Sequence, residues 1–140
     1  MNHRGGAIYN VEGGGGERRL TTGVLVYGAT KSAVRYFTRA LAAEQKSSNI
    51  VIGTLEPGMV FTDALLEMAR QMPRAEFQRA RPFYDALTEP VETAAPKLVD
   101  RMLCNTKNGV HISLLPPRVA LRKILSMPFR RRKLFAEVQA

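Results

Sequence analysis

Residues 50–58 read IVIGTLEPG: a β-branched, apolar run of strand length, closed by the Pro57-Gly58 turn. Such a run is what a strand buried inside a parallel sheet looks like. Working upstream, Ala33, Val34, Phe37, Ala40 and Leu41 recur at three- and four-residue spacing, which predicts an amphipathic helix from about residue 24 to 45. Before it, AIYNV at 7–11 reads as another buried strand, ending in a glycine cluster. Strand, helix, strand is a right-handed crossover unit of a parallel sheet, so the fold class is α/β.

Downstream, residues 62–84 contain helix formers such as ALLEMARQM, with Pro73 and Pro82 expected to break them into the short pieces of a mobile, partly helical flap. Met59, Phe61, Leu65, Met68, Phe77 and Phe83 are among its candidates for lining an apolar pocket. Thr88-Glu89-Pro90 reads as a helix start, and Pro96 is expected to kink the helix that follows. GVHISLL at 109–115 reads as a third strand. Residues 118–133 carry seven basic side chains and no acidic one, and a C-terminal helix broken near Pro128 is expected there. The domain reading is 1–117 for the α/β body and 118–140 for a basic tail.

The 140 residues, 45% hydrophobic, suit one globular domain, and the formal charge of +9 directs attention to acidic partners. A single cysteine, Cys104, permits no internal disulfide, and His3 and His111 lack a ligand cluster, so no metal site is expected. No apolar run reaches the roughly 20 residues that span a bilayer, and a soluble or peripheral protein is expected. The basic residues lack interleaved aromatics or a reading motif, which argues against nucleic acid.

Tyr27 and Lys31 lie about one helical turn apart, so both project from one face. A phenol is a poor acid near neutrality, but a neighbouring ammonium favours its ionised form, which makes such a pair a plausible proton donor. Taken alone, the pair reads first as a solvated helix face. Its context changes that, because ligands of open parallel sheets bind beyond the carboxyl ends of the strands, where the helix start and residues 57–62 are expected.

YGATKSAV at 27–34, followed by a strand and EPGMVFTD at 56–63, resembles the second half of the short-chain dehydrogenase/reductases, which transfer hydride between NAD(P) and a carbonyl or alcohol. The resemblance implies part of a Rossmann-like, doubly wound sheet. It implies Tyr27 as general acid/base and Lys31 as the residue that activates it and binds the nicotinamide ribose. Pro57, Gly58, Val60 and Thr62 match the loop that holds the nicotinamide carboxamide and a nearby phosphate. AIYNVEGGGG, PGMVFTDALL, ALTEPVETAA, DRML and LLPPR are most similar to the chlorophyll b reductases, which reduce the formyl group of chlorophyll(ide) b to hydroxymethyl with NADPH. That implies NADP as cofactor, with NAD the alternative, an apolar carbonyl substrate, and a homo-oligomer or a pairing with a homologue. It also implies a chloroplast stroma or thylakoid-surface location in a plant or alga, and the cytoplasm otherwise.

Two departures stand out. The place of the family's usual catalytic serine falls at Gly13, beside Glu12; Thr21 and Thr22 read first as structural loop residues, with a replacement hydroxyl the lesser reading. The glycine fingerprint for the adenine half is absent, since GGGG at 13–16 lacks the later glycine and a helix start. The chain therefore reads as a C-terminal half, whose cut sheet exposes an edge and apolar faces and lowers solubility. A non-catalytic subunit, and a membrane-surface module using Leu121, Ile124, Leu125 and Phe129 with Arg122, Lys123 and the basic residues 130–133, are the competing readings.

Overall fold

The computed structural model describes residues 5–13, 23–127, 134, 135 and 138. Its elements run β1 (Gly6–Val11), α1 (Leu25–Glu44), β2 (Ile50–Glu56), β3 (Val60–Phe61), α2 (Asp63–Gln71), α3 (Arg74–Leu87), β4 (Glu89–Pro90), α4 (Val91–Leu103), β5 (Val110–Ser113) and α5 (Pro117–Leu125). The three expected strands and the first helix are all present, in a mixed α/β, partial Rossmann-like arrangement. Contacts divide the chain into two compact units: Met1–Pro57 with Leu98–Ser113, and Gly58–Lys97 with Leu114–Ala140. This division differs from the expected boundary after residue 117.

In the first unit β1, β2 and β5 form a parallel sheet in the order β1-β2-β5. Ile52, Leu55 and Ile112 are buried in it, with Ala42 from α1. The register sets Asn10, Thr54 and His111 in one row across the three strands. Asn10 donates from Nδ2 to Thr38 Oγ1 of α1 at 2.9 Å, which places this polar row on the face that α1 covers. On α1, Thr38 in turn donates to the Val34 carbonyl. The opposite face is tied to the end of α4, where the Tyr9 hydroxyl reaches the Met102 carbonyl and accepts from Asn105 Nδ2. Among the described residues β1 and β5 are the sheet edges, and Ile8, Val11 and the α1 residues Leu25, Val26, Tyr36 and Phe37 are exposed.

The second unit is built around aromatic side chains. Ala69, Phe77, Phe135 and Val138 form its buried centre, with Phe61, Leu65, Leu66, Met72, Tyr84 and Leu134 packed against it. The Phe135 ring meets Phe61, Tyr84 and Phe77 edge-on, with centroids 5.2, 5.5 and 6.1 Å away. Its backbone N–H donates to Asp85 Oδ1 at 3.1 Å. Burial of Phe77 and Phe135 stabilises this unit by roughly 2–3 kcal/mol each. Most of the apolar flap residues therefore fill the core of their own unit, and Phe135, from the stretch expected as a separate tail, belongs to that core. Met68 and Phe83 remain exposed.

The prolines differ in effect. Pro73 separates α2 from α3 and Pro96 lies inside α4, both as expected, but Pro82, expected to break its segment, lies inside α3 without ending it. A proline leaves the carbonyl four residues earlier without a helical donor. Here those carbonyls belong to Gln78 and Glu92, both exposed, so water can supply the donor. The expected break near Pro128 lies outside the described residues.

Candidate active site

β1 delivers Val11, Glu12 and Gly13 to its carboxyl end, and the Glu12 N–H continues the ladder to the Leu55 carbonyl at 2.8 Å. α1 begins opposite, with the Gly28 N–H bonded to the Val24 carbonyl. Lys31, on the second turn, donates from Nζ to the Val11 carbonyl at 3.1 Å. The same ammonium stands 5.8 Å from the centroid of the Tyr27 ring, within cation–π range. Tyr27 is half exposed, and its phenol oxygen occupies the space that a Cβ on residue 13 would fill. A side chain at position 13 and the phenol in this position exclude one another. Tyr27 and Lys31 are thus brought together at the end of β1, and the residue against the phenol is the one at the expected place of the missing serine.

Pro57 closes the first unit, while Gly58, Val60 and Thr62 open the second. Gly58 has φ +76°, and a Cβ there would press on the Leu115 side chain, so only glycine suits the turn. Val60 pairs with Glu89 in the short β3–β4 ladder. Thr62 caps α2: its Oγ1 accepts from the Leu65 N–H at 3.3 Å, which leaves the hydroxyl proton to donate elsewhere. A threonine-capped helix N-terminus offers backbone N–H groups to an anion. Thr21, Thr22 and residues 14–16 lie outside the described residues.

Two charged clusters escaped the sequence reading. Glu12 is buried, 6% exposed, with Oε2 at 3.5 Å from Arg35 Nε and 3.8 Å from His111 Nδ1. Among the described residues its Oε1 has no hydrogen-bond partner. His111 Nδ1 also shares a hydrogen bond with Thr54 Oγ1 at 2.9 Å, and its Nε2 lies 3.4 Å from Glu56 Oε2. Glu12, Thr54 and His111 face Arg35, Thr38 and Arg39 across a cavity of about 170 Å³. The signal in the sequence was the spacing of polar residues two apart, Asn10 and Glu12, Thr54 and Glu56, His111 and Ser113, inside runs that otherwise read as buried strand.

The second cluster joins α5 to β4. Glu89 Oε1 meets Lys123 Nζ at 2.8 Å and its Oε2 meets Lys97 Nζ at 2.9 Å, while Lys123 also donates to the Leu87 carbonyl at 3.3 Å. Burial alone would raise the Glu89 carboxyl, but the hydrogen bonds and charges of Lys123 and Lys97 outweigh it and bring it down from the usual 4.5 to about 2. Burial, with the Glu76 carboxylate adding to it, pushes the Tyr84 phenol up. Among the described residues no group of acidic, histidine and cysteine side chains could hold a metal, and no helix is long and apolar enough to cross a membrane.

The model of the family described as short chain dehydrogenase matches residues 1–73. Chlorophyll(ide) b reductase NOL of Arabidopsis thaliana is 37% identical over 130 residues, covering 88% of this chain and 36% of the relative. Probable chlorophyll(ide) b reductase NYC1 of Oryza sativa subsp. japonica is 34% identical over 119 residues, covering 84% and 22%. Both relatives are named as chloroplastic, and the chain spans about a third or less of the length of each, 36% and 22%. L-sorbose reductase from Gluconobacter frateurii, solved with NADPH and L-sorbose, matches with a TM-score of 0.52 at 18% identity, over 79% of this chain and 46% of that one. At that identity the likeness is one of fold.

Proposed function

The chain belongs to the short-chain dehydrogenase family, and from that premise we propose that it carries the proton-donating part of an NAD(P)H-dependent carbonyl reductase acting on the formyl group of chlorophyll(ide) b. The observation that carries this reading is the Tyr27 phenol set against Gly13, with Lys31 anchored to the Val11 carbonyl beside it.

In this reading Tyr27 hydrogen-bonds the substrate carbonyl and gives its proton to the developing alkoxide. Lys31 stabilises the phenolate that remains and holds the nicotinamide ribose hydroxyls. Gly58, Val60 and the hydroxyl of Thr62, with Pro57 setting the turn, hold the carboxamide and the adjoining phosphate. A bound reduced nicotinamide supplies the hydride. Because Gly13 offers no hydroxyl, polarising the carbonyl falls to Tyr27, which costs nothing in space because the phenol already fills the position. Met68 and Phe83, exposed on α2 and α3, are the apolar side chains left to meet a pigment-sized substrate. NADPH is the proposed cofactor, the chloroplast the proposed location, and a homo-oligomer or a pairing with a homologue the proposed cover for the exposed apolar face of α1. The basic C-terminal segment is proposed as a peripheral membrane contact.

The experiment joins this chain to the remaining part of its longer relatives' architecture and follows pigment absorbance with NADPH and chlorophyllide b. Conversion of the formyl to a hydroxymethyl group is expected. Reduction of simple aldehydes with the pigment untouched would reject the substrate class and keep the chemistry, and no carbonyl-dependent NADPH oxidation at all would reject both.

A further inference from the structure

Helix α5 is inverted with respect to a solvated amphipathic helix: it turns a charge inward and leucines outward. Lys123 is buried, held by Glu89 and by the Leu87 carbonyl. On the opposite side Arg118, Leu121, Arg122 and Leu125 stand at three- and four-residue spacing and form one exposed stripe. Leu121 is 57% and Leu125 68% exposed. Rotating the helix to bury the leucines would tear Lys123 from Glu89, so the ion pair fixes which face looks out. The outward stripe is apolar in its middle and cationic at its flanks. No acidic residue occurs anywhere in residues 118–133, and four consecutive basic residues follow at 130–133.

We propose that this face of α5 docks on an anionic lipid bilayer, with Leu121 and Leu125 entering the headgroup–acyl boundary and Arg118 and Arg122 meeting the lipid phosphates. Two leucines and two arginines on one face is the composition of an interfacial helix, and the charge matches an anionic leaflet. The inference deepens the peripheral contact proposed above and corrects its expected chemistry, since Lys123 and the partly buried Ile124 face inward. It does not depend on the reductase reading.

The test is cosedimentation of the whole 140-residue chain with vesicles of phosphatidylcholine alone or with added phosphatidylserine. Binding to the phosphatidylserine vesicles, weakening as salt rises, is expected. Leu121→Ser with Leu125→Ser should lower the partition coefficient at least tenfold, by about the transfer cost of two leucine side chains. Arg118→Gln with Arg122→Gln should lower it roughly tenfold on the same vesicles. Circular dichroism establishes that each variant remains folded, and a double variant that unfolds is replaced by Leu125→Ser alone. Tyr27→Phe should bind vesicles like the parent, which separates this proposal from the catalytic one. Equal binding to both vesicle types, no binding to either, or undiminished binding by the leucine variants would overturn it. So would equally tight binding of the parent and the leucine variants to a nucleic acid, because that would make the surface a general polyanion contact.

Discussion

Each unit sets a carboxylate in a charged cluster, buried at Glu12 and part-buried at Glu89, and the two are treated in opposite ways. Glu89 has a lysine within 2.9 Å of each of its oxygens. Glu12, at the end of β1, has one oxygen at the long edge of ion-pair range and the other, among the described residues, without a partner, beside a cavity. A carboxylate with both oxygens satisfied that holds a buried lysine is a fastening, whose loss exposes the cost of the buried charge left behind. A buried carboxylate with an orphan oxygen contributes little to holding the fold, and native proteins keep such groups next to working sites. The difference teaches where each unit spends its polar groups: the second on closing α5 over its core, the first on the strand end where Tyr27 and Lys31 meet.

This contrast can be broken by mutation. The largest effect is expected from Glu89→Ala, which strands Lys123 in the interior and should destabilise the second unit by about 3–5 kcal/mol. Hydrogen exchange should show it as lost protection in α3 and α5, and unchanged α3 and α5 amides would remove the fastening role. Acid probes the same pair without mutation. Glu89 titrates at about 2 in the fold against a usual 4.5, so its contribution is complete above about 4.5 and is lost as pH falls toward 2. In Glu89→Gln the part of the acid-induced destabilisation between those values should shrink.

A smaller effect on the fold, but a clear one on chemistry, is expected from Gly13→Ala. The added Cβ displaces the phenol end of Tyr27, which is half exposed and can swing away at little cost in stability. Carbonyl reduction by the joined protein should fall about tenfold to a hundredfold through misplacement of the donor, with an unchanged melting profile. Full activity would mean that the phenol does not work from this position. The smallest effect belongs to Glu12→Gln. With Arg35 and His111 both able to reach solvent, loss of the charge should cost under about 1 kcal/mol. A cost as large as that of Glu89→Ala would erase the contrast between the two carboxylates.

The parallel strands and α1 were legible because their patterns are local: IVIGTL is apolar throughout, and α1 keeps a clean helical period. Tyr27 and Lys31 stand a helical turn apart in the sequence, and the structure brings them together as that spacing implies. What was not legible depended on partners distant in sequence. Asn10, Thr54 and His111 become one polar row only when β1, β2 and β5 take their register. Phe135 reads as part of a basic tail until the ring is found among Phe61, Phe77 and Tyr84. The helix-breaking weight given to Pro82 ignored exposure, which decides whether water can satisfy the carbonyl the proline abandons. Lys123 reads as one more surface cation, because nothing near it in sequence announces Glu89.

The measurement closest to the central claim is single-turnover hydride transfer from NADPH in the joined protein, comparing Tyr27 with Tyr27→Phe and following cofactor binding separately by nicotinamide fluorescence. A phenylalanine keeps the ring that Lys31 faces and removes only the hydroxyl that carries the proton, so the rate should drop about a hundredfold or more while the cofactor still binds. A Tyr27→Phe protein that reduces its carbonyl substrate at the parent rate would show that the proton comes from elsewhere.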